Sequence, residues 1–305
     1  YVSLEAPDVR AAAAADPRGF LDLYPPPVIL DEVQYAPDLL PYVKERIDAR
    51  RAATGQYLLT GSQNLLLMAQ ITESLAGRTA TLRLLPLSHR ELAGQPGRPL
   101  PWERTGTLRQ VPPLRALWAH LLRGGYPELA AHPKRETALW HASYIQTYLE
   151  RDVRAISSIR DLSAFRRFLS LLASRCGNIL NRTELAAPLG VSVPTISEWL
   201  SILETTGQIL LVPPFFENFG KRLIKSPKVY FLDTGLLAYL LGIESEAVLN
   251  RSPFLGPLFE TFVASEIVKT QISAGRPRAL YYFRDQQGLE VDFVLPRGNR
   301  RLFLL

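Results

Sequence analysis

The feature that most constrains the fold of this chain is a short apolar run, Val28-Ile29-Leu30, followed directly by two acids, Asp31 and Glu32. Such a run is typical of a strand in a parallel sheet that is covered on both faces. Ligands of these sheets bind beyond the carboxyl ends of the strands, which is where the two acids would lie. The pattern predicts a buried strand that presents carboxylates at its end. The alternative is a strand that ends in an ordinary solvated turn.

In nucleotide hydrolases, two acids in this position form the Walker B motif. The first acid, here Asp31, holds Mg²⁺, and the second, here Glu32, polarises the attacking water. A second strand-like run, Gln56-Tyr57-Leu58-Leu59-Thr60-Gly61-Ser62-Gln63, follows a helical stretch that extends from Pro37 to about Ala52. Two apolar strands separated by a helix predict a βαβ unit.

The second run ends in polar residues. Ser62 and Gln63 would lie at the same sheet edge as the two acids, where a small polar side chain can sense a nucleotide phosphate. Arg78 is a cation that directly precedes a third predicted strand, Thr79 to Leu85.

At this point the chain resembles a known family, the prokaryotic AAA+ ATPases of the P-loop class that carry a second domain of unknown function. The resemblance rests on three strings in the family's order and spacing: Ile29-Leu30-Asp31-Glu32-Val33-Gln34, Leu59-Thr60-Gly61-Ser62-Gln63 and Leu75-Ala76-Gly77-Arg78. It implies ATP and Mg²⁺ as cofactors and ATP hydrolysis in the full-length protein. The implied catalytic residues are Glu32, Arg78 and Ser62, and the implied nucleotide ligands are Asp31, which also binds the metal, Ser62 and Gln63.

The phosphate-binding loop of such ATPases is absent from this sequence. The string Gly-x-x-x-x-Gly-Lys-Ser/Thr, whose amides and lysine cradle the phosphates, occurs nowhere in the 305 residues. In the family, Tyr1-Val2-Ser3-Leu4 corresponds to the strand that follows the P-loop helix. We therefore expect a fragment that lacks the front of its ATPase core and that does not bind ATP tightly alone.

Composition describes an ordinary globular protein, with 47% hydrophobic and 21% charged residues. The net charge of +6 is compatible with an anionic partner such as nucleic acid, although the excess is modest for this length. The single cysteine, Cys176, excludes an internal disulfide and favours a reducing cytoplasm. No apolar run approaches the ~20 residues of a membrane span, so no membrane partner is expected. The oligomeric state stays open.

A helix-turn-helix pattern occupies residues 183–204. Ser192 is suited to cap the second helix, and the apolar residues of that helix recur at helical spacing: Ile196, Trp199, Leu200 and Leu203. Two strand-like runs follow, Gln208 to Val212 and Lys228 to Leu232, which together predict a winged helix.

The winged helix makes DNA a candidate partner. The outward positions of its second helix carry no Arg or Lys that could bond a guanine edge. Contact would therefore come through phosphates, which position a protein without specifying sequence. The candidate residues are Lys221, Arg222 and Lys225; the alternative is a winged helix that serves only for packing between domains.

The last segment predicts an apolar helix from Gly256 to about Gln271 and a hairpin of Ala279 to Arg284 with Leu289 to Leu295. In the family this resembles a PD-(D/E)xK nuclease fold, whose metal is held by a helix glutamate and a strand aspartate. Glu260 and Asp292 match those two ligands. The following Glu-x-Lys of that motif does not occur in this chain, and a structural hairpin with an acidic face is the alternative.

Together these interpretations predict an α/β protein with an incomplete P-loop (AAA+) parallel-sheet core, a helical lid, a winged-helix domain and a partial α+β nuclease-like domain. The function that the resemblance implies is ATP hydrolysis in the full-length protein, acting as a switch or on nucleic acid; the alternative is a DNA-binding or nuclease-like protein whose ATPase part is regulatory. The predicted domains are residues 1–92, 93–159, 160–245 and 246–305.

Overall fold

The computed structural model describes residues 1–61, 74–97, 114–149, 161–215, 226–285, 287–297 and 301–304. They fall into two compact units, one formed by residues up to Thr81 and the other by residues from Leu82 onward. The predicted boundary at residue 92 stays a prediction, and the contacts of residues 82–92 are described below with the second unit.

The first unit contains a parallel three-stranded sheet in which the strand Val28–Asp31 (β2) is the central one. Its register pairs Ser3 with Asp31 and Leu30 with Leu59. This arrangement, with a helix between β2 and β3, confirms the predicted βαβ unit. The elements are β1 (Val2–Ser3), α1 (Pro7–Ala15), α2 (Pro17–Leu23), β2 (Val28–Asp31), α3 (Leu40–Ala49) and β3 (Tyr57–Leu59).

The core of the first unit lies on one face of β2. Val28 and Leu30 are buried together with Leu40 and Val43 of α3. Successive residues of a strand point to opposite faces, and Ile29, on the other face, is 36% exposed. The prediction that this run is covered on both faces is therefore wrong for Ile29 in the part of the chain that the structure describes.

The strand predicted from Thr79 to Leu85 does not form, because these residues pair with no described strand. Leu82 and Leu84 are highly exposed, the latter at 97%. Arg83 explains how the segment is held instead. Its guanidinium donates to the carbonyls of Glu204 (3.1 Å) and Thr205 (2.8 Å), so a side chain fixes the segment rather than a ladder of backbone bonds.

The second unit is mainly helical up to residue 205. The predicted cap of the helix that begins at Val193 is confirmed, because the Ser192 hydroxyl accepts from the amide of Thr195 at 3.2 Å. The predicted apolar stripe of that helix is also buried. Its helices are α4 (His89–Leu92), α5 (Leu114–Arg123), α6 (Pro127–Ala131), α7 (Thr137–Tyr144), α8 (Leu162–Ser174), α9 (Arg182–Ala186) and α10 (Val193–Thr205).

The described part of the second unit also contains a two-stranded and a three-stranded antiparallel sheet and three further helices. The predicted strand pairs are confirmed, since residues 209–212 pair with residues 228–231, and residues 281–284 pair with residues 290–297, which also pair with residues 301–304. The elements are β4 (Ile209–Val212), β5 (Lys228–Phe231), α11 (Thr234–Leu240), α12 (Glu246–Arg251), α13 (Leu255–Ser273), β6 (Tyr281–Arg284), β7 (Glu290–Arg297) and β8 (Arg301–Leu304).

A buried carboxylate joins distant parts of the second unit. Asp233 caps α11 by accepting from the amide of Leu236 (2.9 Å), and its other oxygen accepts from the amide of Gly125 (2.7 Å). A Cβ atom on Gly124 would lie 2.2 Å from the same carboxylate, and one on Gly125 would lie 2.0 Å from the carbonyl of Leu87. The two glycines therefore permit an approach that no larger residue allows.

Residues 82–92 are bound by three separate elements of the second unit. Besides the contact of Arg83 with the end of α10, the amide of Leu87 donates to Gly125 (2.7 Å), and its carbonyl accepts from Lys269 on α13 (3.2 Å). The amide of His89 donates to the buried carboxylate of Glu266 at 2.8 Å.

Among the described residues, none of the helices has the length and apolar character needed to cross a membrane.

Candidate functional site

The carboxylate of Asp31 lies at the carboxyl edge of the parallel sheet, between two hydroxyl groups. Thr60, which follows the neighbouring strand β3, donates its hydroxyl to Oδ1, and the phenol of Tyr1 donates to Oδ2 at 2.5 Å. The bond from Thr60, followed by that from Tyr1, lowers the pKa of Asp31 despite the opposing effect of burial. The side chain is therefore anionic at neutral pH and offers hard oxygen atoms of the kind that Mg²⁺ takes.

Glu32 has a left-handed backbone, with φ of 54° and ψ of 47°. It is the one non-glycine residue with positive φ in the described ranges, and a side chain there costs about 1–2 kcal/mol. Backbone bonds on both sides hold this conformation: the amide of Leu4 donates to the carbonyl of Asp31 (2.9 Å), and the amide of Val33 donates to that of Thr60 (3.0 Å). The turn brings Glu32 out of the strand direction, and the side-chain amide of Gln34 donates to its carboxylate.

The polar residues predicted to accompany the two acids are only partly described. Ser62 and Gln63 lie outside the described residues. Thr60 was missed, although it stands in the string Leu59-Thr60-Gly61-Ser62-Gln63. The sequence interpretation took Gln56 to Gln63 as one strand-like run and assigned the edge position to Ser62 and Gln63, whereas β3 ends at Leu59 and Thr60 is the first side chain beyond it.

Arg78 forms a bidentate ion pair with Asp48, with N···O distances of 2.7 and 3.0 Å, and donates a third bond to the carbonyl of Ala76. Asp48 lies at the end of α3, which runs from the carboxyl edge of β2 back to the start of β3. The carboxyl end of α3 therefore lies at the amino edge of the sheet, whereas Asp31 lies at the carboxyl edge. In this structure Arg78 is not brought to the two acids.

The residues predicted to contact nucleic acid, Lys221, Arg222 and Lys225, lie outside the described residues. On the second helix of the helix-turn-helix pattern, Glu198 and Ser201 are exposed. That surface carries an acid and a hydroxyl, as the sequence predicts.

The two predicted carboxyl-terminal metal ligands have separate partners. Glu260 on α13 accepts from the phenol of Tyr230 on β5 at 3.1 Å, whereas Asp292 on β7 accepts from Lys228, also on β5, at 2.8 Å. Burial, followed by the charge of Asp292, raises the pKa of Glu260. Burial lowers the pKa of Lys228, but its bonds to Asp292 and Glu290 outweigh that effect and give a net increase.

These residues do not fit Mg²⁺ as they are arranged. Mg²⁺ requires near-octahedral oxygen coordination, whereas the carboxylates of Asp292 and Glu290 already bind the ammonium group of Lys228. Within the described ranges, no group of three or more His, Cys, Asp or Glu side chains is placed to share a metal ion. The sequence interpretation missed Lys228 because it lies on a different hairpin, 64 residues before Asp292.

Comparison with known proteins divides the chain into three matched segments. Residues 1–93 match the family described as AAA domain, residues 114–247 match a domain of unknown function (DUF8612), and residues 255–305 match another domain of unknown function (DUF4143). These matches support an AAA-type ATPase family with a carboxyl-terminal domain of unknown function.

Similar proteins are found in several bacteria. An uncharacterized protein of Mycobacterium tuberculosis and one of Mycobacterium bovis are each 32% identical over 96% of this chain, and one of Haemophilus influenzae is 23% identical over 90% of it. The chain spans 61% of the length of the mycobacterial proteins and 64% of that of the Haemophilus protein. No solved structure matches the chain significantly.

The role of Thr60 can be tested by Thr60→Val, which removes a hydroxyl and keeps the shape. Because the hydroxyl stabilises the charged form of Asp31, we expect the pKa of Asp31 to rise. The ionised Asp31 contributes to the free energy of unfolding at pH values above its unfolded-state pKa. As the pH falls, the variant should lose this contribution at a higher pH than the parent does, because its folded-state pKa is higher. Carboxyl-resolved NMR titration measures the change. Thr79→Val is the control, since the Thr79 hydroxyl bonds the carbonyl of Leu75 instead. An unchanged pKa in Thr60→Val would contradict the assignment.

Proposed function

We propose that this chain provides the Walker B part of an AAA-type ATPase, in which Asp31 holds Mg²⁺ and Glu32 activates the attacking water. The observation that supports this most directly is the anionic Asp31 carboxylate between the hydroxyls of Thr60 and Tyr1 at the carboxyl edge of a parallel sheet. The AAA domain match over residues 1–93 supports the same function.

The residues around Asp31 and Glu32 have different roles in this proposal. Thr60 and Tyr1 orient Asp31 and keep it charged, while backbone bonds hold the turn at Glu32 and the side-chain amide of Gln34 donates to the Glu32 carboxylate. Mg²⁺, when bound with ATP, neutralises charge on the transferred phosphoryl group. Glu32 accepts a proton from water as the water oxygen bonds to the γ-phosphorus and the bond to the departing ADP oxygen breaks. ATP binding also needs a phosphate-binding loop, which is absent from these 305 residues.

The decisive variant for this proposal is Glu32→Gln, made in the full-length protein. Removing a general base lowers turnover by about 10²–10⁴-fold, whereas nucleotide binding should remain, because Asp31 is intact. Steady-state ATP hydrolysis and binding of a fluorescent nucleotide measure the two effects separately. Glu45→Gln is the matched control, since Glu45 is an exposed acid on α3 that pairs with Arg18. Turnover equal to that of the parent in Glu32→Gln would end the Walker B assignment.

We further propose that Arg78 is a phosphate-sensing cation, acting in cis or across a subunit contact. Its partly exposed, bidentate ion pair with Asp48 would have to open first. Arg78→Ala should then lower hydrolysis by about 10³-fold or more. Asp48→Asn breaks the ion pair but leaves Arg78 in place, so this variant should preserve hydrolysis. If Arg78→Ala hydrolyses ATP as the parent does, or if both variants lose activity equally, the pair is merely structural.

A second candidate function is nucleic-acid binding, favoured by the order α8, α9, α10, β4, β5, which is the order of a winged helix. The exposed Glu198 makes α10 a poor reader of bases. We therefore assign contact to the phosphates, through the cations Lys221, Arg222 and Lys225 between β4 and β5. These 305 residues alone are not expected to cleave nucleic acid, because the third acid and the lysine of the nuclease motif do not occur among them.

Binding of this kind should be weak and steeply dependent on salt, because it rests on counterion release. Replacing Lys221, Arg222 and Lys225 by Ala should reduce the slope of log K against log salt by up to about 2.7, roughly 0.9 for each phosphate that the protein no longer neutralises. Fluorescence anisotropy with duplex DNA, single-stranded DNA and RNA measures the slope. Replacement of Arg50 and Arg51, two exposed cations after α3, is the control. An unchanged slope, or cleavage in Mg²⁺ that Asp292→Ala abolishes, would contradict the proposal.

A further inference from the structure

Lys228 is a charged residue in a strand whose other members belong to the core. All four residues of β5 are buried, and the side chain of Lys228 is 4% exposed. An unpaired ammonium in such a position would cost several kcal/mol, so its partners decide whether it is tolerated.

Those partners come from the carboxyl-terminal hairpin. The ammonium lies 2.5 Å from Oε1 of Glu290 and 2.8 Å from Oδ1 of Asp292. Glu290 and Asp292 are two positions apart on β7, so they project from the same face and reach one cation. The ammonium also lies 5.7 Å from the ring centroid of Tyr282 on β6.

A second set of bonds joins the two hairpins at Tyr282. Its amide donates to the carbonyl of Pro213 (3.1 Å), its carbonyl accepts from the amide of Phe215 (2.6 Å), and its phenol donates to the carbonyl of Ser226 (2.7 Å). The β6–β7 hairpin is thus held against β4 and β5 by backbone bonds around Tyr282 and by the ion pair of Lys228.

Glu290, Asp292 and Glu260 form an acidic cluster next to β5. We infer that the ammonium of Lys228 takes the cation position of this cluster and that its ion pair fastens the carboxyl-terminal hairpin to β5. The carboxylates of the cluster then do not serve as Mg²⁺ ligands. Glu260 agrees with this assignment. Its carboxylate is turned to Tyr230 of β5, so the third acid of the cluster also binds the same strand. The inference does not depend on ATP hydrolysis or on nucleic-acid binding.

The first test is Lys228→Met, which keeps most of the apolar stem and removes the charge. Breaking a buried ion pair is strongly destabilising, because it leaves its partners uncompensated. We expect amide exchange in Tyr281–Arg284 and Glu290–Leu295 to accelerate by roughly tenfold or more, while Val193–Thr205 stays protected. Hydrogen exchange resolved by mass spectrometry measures both regions. Arg284→Met is the matched control, since Arg284 contacts the same Glu290 at 3.5 Å from a more exposed position. Unchanged exchange of the hairpin in Lys228→Met would overturn the inference.

A second measurement covers the case in which Lys228→Met does not fold. The double replacement Glu290→Gln with Asp292→Asn removes the ion pair from the half-exposed side, and the same loss of hairpin protection is expected.

Binding of a metal ion by these carboxylates is tested with Mn²⁺ by electron paramagnetic resonance. Mn²⁺ binding by the parent and by Asp292→Asn should be the same. Mn²⁺ that is bound by the parent and lost in Asp292→Asn would show that the cluster is a metal site and would overturn the inference.

Discussion

The second unit depends on the buried carboxylate of Asp233, which accepts amide bonds from its own helix and from the Gly124-Gly125 turn more than 100 residues earlier. A buried charge requires such partners, because its transfer from water is otherwise unfavourable. The turn can reach it only because Gly124 and Gly125 have no side chains. The same turn accepts a bond from Leu87, so one acid organises three distant segments.

His141 lies next to Asp233 but forms no hydrogen bond with its carboxylate. Its Nε2 atom lies 4.0 Å from the carboxylate, which is too long for a hydrogen bond. Burial lowers the pKa of His141, although the nearby carboxylate opposes that change. The imidazole is therefore neutral at pH 7 and forms no ion pair with Asp233, whose carboxylate is hydrogen-bonded by the two amides.

The sequence predicts well those features that repeat along the chain and poorly those that depend on contacts across it. The helical period of Ile196, Trp199 and Leu200 and the cap at Ser192 identify α10, because both signals lie within the helix itself. Lys228 carries no such signal. Its position next to Asp292 follows from the docking of one hairpin on another, which no local pattern encodes.

The candidate site at Asp31 shows the same limit. The two acids after an apolar run predict its place in the sheet, but the hydroxyl of Thr60 enters only through the register between β2 and β3. The exposure of Ile29 and the absence of a strand at Thr79 to Leu85 likewise depend on which neighbours are present. An apolar run is compatible with either outcome.

Two carboxylates in this chain thus differ in chemistry through their partners. Asp31 is bonded by neutral hydroxyls, which orient it and leave its charge available to a cation. Asp292 is bonded by an ammonium, which cancels much of that charge. The identity of the hydrogen-bond donor, and not the acid itself, therefore decides how much of the negative charge of each carboxylate remains uncompensated.

The binding of residues 82–92 within the second unit has a consequence for any attempt to study the two units separately. Only four residues lie between Arg78, which is paired with Asp48, and Arg83, which is bonded to the end of α10. A truncation at residue 92 would remove the partner of the buried Glu266 and expose the last carbonyls of α10. A recombinant second unit that begins at Leu82 would retain both.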